Sequence, residues 1–422
     1  MRGALGAEVV VVGAGLVGLA TAYHLAERAP SLDIAVVDAE HPAAGASGRG
    51  TGLLGPRVGP PIDRAVRRYG GSTARSMHQA SVEAVRRVLE LCARLGVAGR
   101  VCAGEQIVAA RSAAGLASLA RQARAYRALG LDVPVLSAAA IRQRLQVPYQ
   151  AGLLYREAAG LDPAALCAAL AAACAARGVR LYGGSRLREV RARGGGGVEL
   201  VFARGTVRAR QAVVAVNAAA GALGLPVGTV LPVEVHAIAT APLGPALREA
   251  LGGAALIDAA VLAPYFRLAG DGRLVVGGGG RYPVGVGPAR TAQLRDMAFG
   301  RLEQWLRAAH PGLAGVQVTH RWTGRIAVTG DGLPVVGPVR GLRGVWFAGG
   351  CNGHGLAMSV AHGAYLAGAL LGDTGRPLPW HRSAAPRLPV AGPARPLLRG
   401  YLRALERAAG TGGIPGVGGR RP

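Results

Sequence analysis

The chain has 422 residues, 50% of them apolar, which is enough for two domains with large cores and excludes disorder as the starting hypothesis. Its formal net charge of +26 comes from 49 arginines and no lysine, spread along the whole chain. Nucleic-acid-binding proteins concentrate basic residues on one face and interleave them with aromatic residues, which make up only 4% here. We therefore expect no specific nucleic-acid partner, only weak adventitious binding, and attribute the arginine excess mainly to coding bias, with an electrostatic role secondary.

Cysteine content bears on the cellular compartment. The 5 cysteines form no Cys-x-x-Cys pair, and their odd number leaves one unpaired in any connectivity. Cys167 and Cys174 lie in one alanine-rich stretch, so we expect both on one helix face as small core residues. These features predict a reducing, cytoplasmic setting, and no His or Cys spacing predicts a metal site.

The first predicted element is the apolar run VVVVGAGLVGLATAYHLAE, residues 9–27. A membrane span or a cleaved leader is the weaker interpretation, because the run is short, contains glycine and polar interruptions, and follows Glu8 instead of a basic segment. The pattern favours a buried strand, a tight turn and a helix. The three glycines of the turn are Gly13, Gly15 and Gly18. In such a unit glycines permit the turn, the approach of the backbone to a pyrophosphate and close helix packing, and the helix N-terminus favours the phosphates.

A second predicted strand, LDIAVVD, ends in Asp38, twenty residues after Gly18. An acidic side chain at this point accepts hydrogen bonds from the adenosine ribose hydroxyls. Spacing and context together favour a dinucleotide, FAD or NAD(H), over a glycine-rich turn without a ligand. The loop HPAAGASGRGTGLLG, residues 41–55, follows, and taken alone it could be a solvent loop.

The segment GLRGVWFAGGCNGHGLAMSV near the other end repeats this logic. It predicts a short strand over Val345 to Ala348, a glycine-rich turn, and a helix from about Leu356. A helix N-terminus can face the electron-rich N1 and C2 carbonyl of a flavin and stabilise its anionic reduced form. This segment therefore favours a flavin.

Six motifs together resemble the FAD-dependent amine and amino-acid oxidases, which include D-amino acid oxidase, glycine oxidase and sarcosine oxidase; within this family the chain is most similar to gamma-glutamylputrescine oxidases. The motifs are GAGLVG, GASGRGTG, VVAVNA, YFRLAGDGRLVVGGGGRY, RWTGRIAVTGDGLPVVG and FAGGCNGHGLAMS. The first motif is generic, whereas the Trp-x-Gly to Asp-x-x-Pro-x-x-Gly block followed by Gly-His-Gly is specific in combination. The resemblance extends from about Val9 to about Gly372.

The resemblance implies an α/β fold, with a discontinuous Rossmann-like FAD-binding domain and a second domain built on an antiparallel sheet. It also implies positions for FAD. Gly13, Gly15 and Gly18 would bind the pyrophosphate, and Asp38 would bind the adenosine ribose. Ser47 and Arg49 would contact the pyrophosphate and the flavin side. The backbone of Leu187 would contact the adenine, and Asn217 and Ala218 would lie near the pyrophosphate. Gly350, Gly353, His354 and Gly355 would lie against the flavin ring.

Two departures from the family pattern bear on the chemistry. Glycine oxidase has an arginine four residues after the Trp that clamps the substrate carboxylate; this chain has Ile326 there, and the adjacent Arg325 could substitute only if the strand bulges. Sarcosine oxidase attaches its flavin to a cysteine and activates oxygen with a lysine, and this chain has neither residue there. We therefore expect non-covalent FAD, and either oxygen or another electron acceptor.

The reaction that the resemblance implies is hydride transfer from the amine-bearing carbon to flavin N5, which leaves an imine that water hydrolyses. Tyr265 and Arg267 are the best catalytic candidates, on one face of a hairpin that turns at Asp271 and Gly272; the alternative is an arginine on a solvated face with Tyr265 at the core edge. Arg325 and His354 complete the candidates, although His354 could equally cap the turn. His236 is expected to be structural.

We expect residues 1–90, 150–222 and 320–375 to form the FAD-binding domain, with a strand meander near residues 193–216. Residues 91–149 and 223–319 would form the substrate domain, and residues 376–422 a C-terminal helix and flexible tail. The apolar face of that helix could lie on a membrane surface or, more commonly, dock on the protein. Two other functions stay open: a flavin-dependent monooxygenase, and a flavoprotein without amine oxidase activity.

Overall fold

The computed structural model describes residues 3–194, 196–260, 264–283, 287–373 and 377–387. The strands in these residues are β1 (Gly3–Val12), β2 (Ile34–Val37), β3 (Leu53–Leu54), β4 (Val101–Ala110), β5 (Val135–Ser137), β6 (Ala151–Leu161), β7 (Arg180–Tyr182), β8 (Leu187–Ala192), β9 (Val198–Phe202), β10 (Gly205–Val214), β11 (Leu231–Pro242), β12 (Ala255–Asp258), β13 (Tyr265–Leu268), β14 (Arg273–Pro283), β15 (Val318–Val328), β16 (Val335–Pro338) and β17 (Val345–Gly349). The α-helices are α1 (Leu16–Arg28), α2 (Ile62–Tyr69), α3 (Gly71–Arg94), α4 (Ala113–Ala128), α5 (Ala138–Leu145), α6 (Pro163–Ala176), α7 (Pro245–Ala250), α8 (Pro288–Ala309) and α9 (Gly355–Leu370). Short 3-10 turns occupy Ala98–Arg100, Asn217–Leu223 and Pro311–Leu313.

The first sheet has the order β16-β17-β10-β1-β2-β7, and the strands from β17 to β7 are parallel. The antiparallel strands β8 and β9 extend it from β10, so the predicted meander is present. Residues Val9 to Val12 are buried because helices and the meander cover both faces of β1, which explains the continuous apolar run. The predicted strand, turn and helix at the N-terminus are therefore confirmed.

Helix α9 packs directly on α1 in the same layer. A Cβ added at Gly363 of α9 would lie 2.6 Å from the Cβ of Ala20 on α1, so the absent side chain allows the two helices to approach. Both helices begin at the carboxyl edge of the parallel strands, α1 after β1 and α9 after β17. This edge is where open α/β sheets bind ligands.

The second sheet has the order β15-β11-β14-β13-β12-β4-β6-β3, with β5 added beside β6. All its pairs are antiparallel except that of β12 with β4. The expected hairpin joins β13 to β14 through Asp271 and Gly272, and the φ of 81° at Gly272 suits glycine. The fold class predicted from the sequence, a Rossmann-like domain beside an antiparallel sheet, is confirmed.

The two faces of the second sheet have different environments. Ile238, Phe266 and Val276 pack with Leu302 and Trp305 of α8, and we call this side the α8 face. On the opposite side, Gly277 lies between Ala237 and Tyr265 in register, and Ala237 pairs with Trp322. We call this side the cavity face. Because successive residues of a strand alternate, each side chain of this sheet can be assigned to one face.

Sheet membership crosses the expected domain ranges at three places. Strands β3, β6 and β15 belong to the second sheet, although all or most of their residues fall in ranges assigned to the FAD-binding domain. The domain boundaries themselves stay a prediction. Of the C-terminal segment, residues 377–387 pack on the first sheet, while the predicted helix around residues 397–405 lies outside the described residues. Within the described ranges, no helix has the length and apolarity needed to cross a membrane.

Candidate active site

The turn between β1 and α1 brings backbone groups unusually close. Gly13 has φ of 106°, and a Cβ there would lie 2.7 Å from the carbonyl oxygen of Ala215. A Cβ at Gly18 would lie only 1.9 Å from the carbonyl oxygen of Gly13. Helix α1 begins after Gly15 with no side-chain cap, and the Leu16 N–H donates to the Ser47 hydroxyl at 3.0 Å. The N-terminal end of α1 therefore presents backbone N–H groups suited to a pyrophosphate, and the roles predicted for the three glycines stay a prediction.

Asp38 is held at the end of β2 by backbone donors. Its carboxylate accepts from the Ala14 N–H at 2.7 Å and from the Glu40 N–H at 2.8 Å. Each carboxylate oxygen has a second lone pair. Because Asp38 also borders the main cavity, those remaining acceptor positions can meet ribose hydroxyls.

A cavity of about 3340 Å³ connects the carboxyl edge of the first sheet with the cavity face of the second. Ligand pockets usually measure about 300–1000 Å³, so this space suits a dinucleotide together with a second molecule. The predicted site residues that line it are Gly13, Gly15, Asp38, Ser47, Arg49, Leu187, Asn217, Ala218, Tyr265, Arg325, Gly353, His354 and Gly355. The predicted residues Gly18, Gly350 and Arg267 are not among the lining residues.

The glycine-rich turn before α9 is held by a buried network that sequence reasoning missed. The Asn352 side chain accepts from the Thr329 N–H at 2.9 Å and donates to the carbonyl oxygen of Gly350 at 2.6 Å. The Gly350 N–H donates in turn to the Asn217 side chain at 3.2 Å. Gly350 therefore lies behind the turn instead of against the cavity. Asn352 has φ of 56°, a left-handed conformation that asparagine tolerates.

Residues 377–387 form a strap that reinforces the next turn. Arg382 forms an ion pair with both carboxylate oxygens of Asp331 and donates to the carbonyl oxygens of Leu333 and Pro334. Burial alone would raise the pKa of Asp331, but the hydrogen bonds and charge of Arg382 hold that pKa below its usual value. Asp331 borders the cavity, so the strap supports one wall of the site.

His354 precedes the first residue of α9 and borders the cavity, but its side chain makes no capping hydrogen bond to that helix. The capping alternative considered for it is therefore not seen. Its helix still begins at the cavity, with Gly355 in the wall.

Tyr265 lies on the cavity face, where its ring covers Gly277 and its hydroxyl is 3.1 Å from the Thr51 hydroxyl. A second contact holds the same loop, because the Trp322 indole donates to the carbonyl oxygen of Arg49 at 2.9 Å. These contacts fix residues 49–52 against the sheet. The structure thus places Tyr265 in the cavity wall, and the catalytic role predicted for it stays a prediction.

Arg267 requires a correction. It shares the cavity face with Tyr265, as alternation predicts, but it is 8% exposed and donates to the carbonyl oxygens of Thr51, Leu161 and Leu268. Burial lowers its pKa, and it is neither solvated nor in the cavity wall. Its contacts indicate a structural role, clamping the loop at Thr51 to the end of β6.

Arg325 lines the cavity but lies on the opposite face of its sheet from Tyr265. The register of β15 with β11 is regular here and pairs Arg325 with Glu234, so Arg325 projects on the α8 face and Ile326 on the cavity face. Glu234 forms a two-point ion pair with Arg295 of α8, at 2.7 and 2.8 Å. The bulge that would turn Arg325 toward Tyr265 is absent at this position, so Arg325 borders the cavity from the α8 face, and the catalytic role predicted for it stays a prediction.

His236 lies beside this ion pair on the α8 face. Its Nε2 is 3.5 Å from a carboxylate oxygen of Glu234, and its ring meets Phe299 edge-on. Burial lowers the pKa of His236, against the opposing effect of Glu234. This environment agrees with the structural role expected for it. Within the described residues, no group of three or more His, Cys, Asp or Glu side chains is arranged to hold a metal ion.

Comparisons with known proteins identify the family and the fold. The family model described as FAD dependent oxidoreductase matches residues 8–369. Among characterised sequences, gamma-glutamylputrescine oxidoreductase of Escherichia coli (strain K12) is 29% identical over 375 residues, covering 87% of this chain and 84% of that protein. Glycine oxidase of Geobacillus kaustophilus is 27% identical over 377 residues, covering 85% and 92%. The crystal structure of that glycine oxidase superposes with a TM-score of 0.72 at 22% identity, over 89% of this chain and 97% of the other.

Proposed function

Because this chain belongs to the family of FAD-dependent oxidoreductases, we propose that it oxidises the carbon–nitrogen bond of an amine or amino acid. FAD is its cofactor. The observation that carries the proposal is the single cavity that joins the α1 turn and the start of α9 to Tyr265 on the second sheet. A dinucleotide bound at the α1 turn and at the start of α9 would leave space in front of Tyr265 for a small substrate.

The chain's own groups suit this role. The N–H groups at the start of α1 bind pyrophosphate, and Asp38 accepts from ribose hydroxyls. The N-terminus of α9 supplies a positive dipole end where negative charge develops. FAD supplies the hydride acceptor, and water hydrolyses the imine product. Burial raises the pKa of the Cys351 thiol to about 12, and this neutral thiol supports the expectation of non-covalent FAD.

The cavity face of β15 bears on the substrate. Ile326 projects there, at the position where the family resemblance implies a carboxylate-binding arginine in glycine oxidase, and Arg325 projects away. An α-carboxylate next to the reacting carbon would therefore meet no cation on the cavity face of this strand. This favours an amine whose reacting carbon carries no carboxylate. The similarity to gamma-glutamylputrescine oxidoreductase is in keeping with such a substrate.

Oxygen or another acceptor would reoxidise the flavin, and the expected setting is the cytoplasm. The 5 cysteines are unpaired, which supports a reducing compartment.

The test is anaerobic reduction of the purified holoenzyme by a panel of amines and amino acids, followed at the flavin absorbance bands. Bleaching by an amine, followed by release of ammonia or a shortened amine, is the expected result. Consumption of NADPH without any amine would favour a monooxygenase instead. A flavin spectrum that no amine in the panel bleaches would count against amine oxidation.

A further inference from the structure

The part of the cavity beyond Tyr265 is lined by side chains from the second sheet and from three helices, and we call it the distal chamber. Its residues on the sheet are Gln106, Val108, Tyr155 and Ile257, and those on α2, α3 and α4 are Arg64, Arg68, His78, Ser81, Arg121, Gln122 and Tyr126, with Arg57 from the loop before α2. The start of α1 and Asp38 belong to the opposite end of the cavity. The distal chamber is therefore available to a substrate.

Two buried hydroxyl groups meet in the wall of this chamber. The Tyr126 and Tyr155 oxygens are 3.1 Å apart, and the two residues are 6% and 8% exposed. One hydroxyl donates to the other in this pair, so the proton of the accepting hydroxyl is left for a further acceptor. No side-chain or backbone acceptor for it occurs among the described residues. A buried donor of this kind calls for a ligand atom that accepts.

Arg57 lines the same chamber with an exposed side chain and adds a positive charge to it. Burial raises the pKa of Tyr126 and Tyr155, and the charge of Arg57 opposes that rise at both. On the neighbouring helices, Asp63 pairs with Arg67 at 3.4 Å and with Arg121 at 3.6 Å. Arg57, by contrast, forms no ion pair within the ranges that the structure describes.

Acidic residues of the cavity wall lie elsewhere. Asp38 and Glu40 belong to the dinucleotide end, and Asp331 is paired with Arg382. Glu234 and Asp258 contact Arg295 and Trp305 of α8. The distal chamber thus combines neutral donors with several arginines. The buried Asp63, whose charge also acts on Tyr126, is paired with Arg67 and Arg121 and is not part of the described lining. Such a surface stabilises an anion and disfavours a second ammonium group.

We propose that the substrate carries a carboxylate or phosphate remote from its reacting nitrogen, and that Arg57 with the Tyr126–Tyr155 hydroxyl pair binds this group. That the bound molecule is the substrate rests on the proposed amine oxidation, whereas binding of an anion at this site does not depend on turnover. An amine with a remote anionic group would span from Arg57 to Tyr265, with its reacting carbon toward the dinucleotide.

Calorimetric titration of the FAD-loaded protein with glutarate, glutaramide and n-propyl phosphate tests the site directly. We expect binding of glutarate or n-propyl phosphate, whichever terminus fits, and none of the neutral glutaramide. Arg57→Gln should weaken the binding about tenfold or more, and Tyr126→Phe severalfold, because each removes a donor to a charged group. Arg67→Gln is the matched control, since Arg67 is exposed on α2 and does not line the cavity.

Failure of both anions to bind, or equal binding by wild type and Arg57→Gln, would overturn the proposal. Should Arg57→Gln lose FAD, the Tyr126→Phe protein decides in its place. Anion binding combined with a flavin that no amine reduces would refute amine oxidation and leave the anion site standing. The opposite case compares an amine that carries a remote carboxylate with the corresponding neutral amide. If both bleach the flavin equally well, in wild type and in Arg57→Gln, the anion site alone is refuted.

Discussion

Replacement of Arg382 by glutamine tests how far the C-terminal strap supports the site. The ion pair that it forms with Asp331 is largely buried, with side chains 18% and 5% exposed. Removing one partner of a buried pair leaves an uncompensated charge and costs about 3–5 kcal/mol. We therefore expect Arg382→Gln to lower the free energy of unfolding by about that amount at pH 7. We also expect it to weaken FAD binding severalfold, because Asp331 borders the cavity.

Urea unfolding followed by circular dichroism, together with FAD titration of the apoprotein, measures both effects. Arg28→Gln is the matched control: its ion pair with Asp373 is 41% and 51% exposed, so the loss should be below about 1 kcal/mol. The depressed pKa of Asp331 contributes stability that is present above about pH 3.9 and lost as pH falls through the folded-state pKa. The deficit of Arg382→Gln should therefore stay nearly constant from pH 7 to pH 4 and shrink only as pH falls below about 3.9. A variant within about 1 kcal/mol of wild type at pH 7 would refute this reasoning.

Three further substitutions test other parts of the structure. Gly18→Ala would place a Cβ 1.9 Å from the Gly13 carbonyl oxygen, so we expect protein purified without flavin, as judged from its visible spectrum. Burial lowers the pKa of His362 from 6.5 to about 3, so the free energy of unfolding decreases as pH falls below 6.5. At pH 5 this decrease amounts to about 2 kcal/mol, and urea titrations of His362→Gln should not show it. Arg267→Ala should cost about 2 kcal/mol or more by leaving buried carbonyl groups without donors, and reduce flavin content while KM for a reducing amine changes little.

Each of these three has a control in the chain. Gly6→Ala should retain flavin, since a Cβ there meets nothing within 4 Å. His41→Gln and Arg210→Ala replace exposed residues and should leave the pH dependence and the stability unchanged. Normal flavin content in Gly18→Ala, identical pH profiles of His362→Gln and wild type, or a stable Arg267→Ala enzyme that has lost only turnover would contradict the corresponding prediction.

The dinucleotide end could be predicted from the sequence because it depends on short stretches of chain. The glycine turn, the helix after it and Asp38 lie within thirty residues, and strand and helix periodicities define their order. The second glycine-rich turn repeats that pattern before α9. Motif order also sufficed to indicate the family, whose model matches residues 8–369.

Tertiary structure alone decided the substrate end, because there the contacts join residues far apart in the chain. Alternation placed Arg267 and Tyr265 on one face correctly. Only the positions of Thr51 and Leu161 show that the Arg267 guanidinium donates its hydrogen bonds to backbone carbonyl groups. The absence of a bulge in β15 near Arg325 could not be predicted from the sequence of that strand, because its register is set by the partner strand β11. The strap at Arg382 and the hydroxyl pair of Tyr126 and Tyr155 likewise exist only after distant elements pack together. Local periodicity therefore sufficed to predict the candidate cofactor site, whereas strand register and long-range packing decided which side chains form the cavity face of the second sheet.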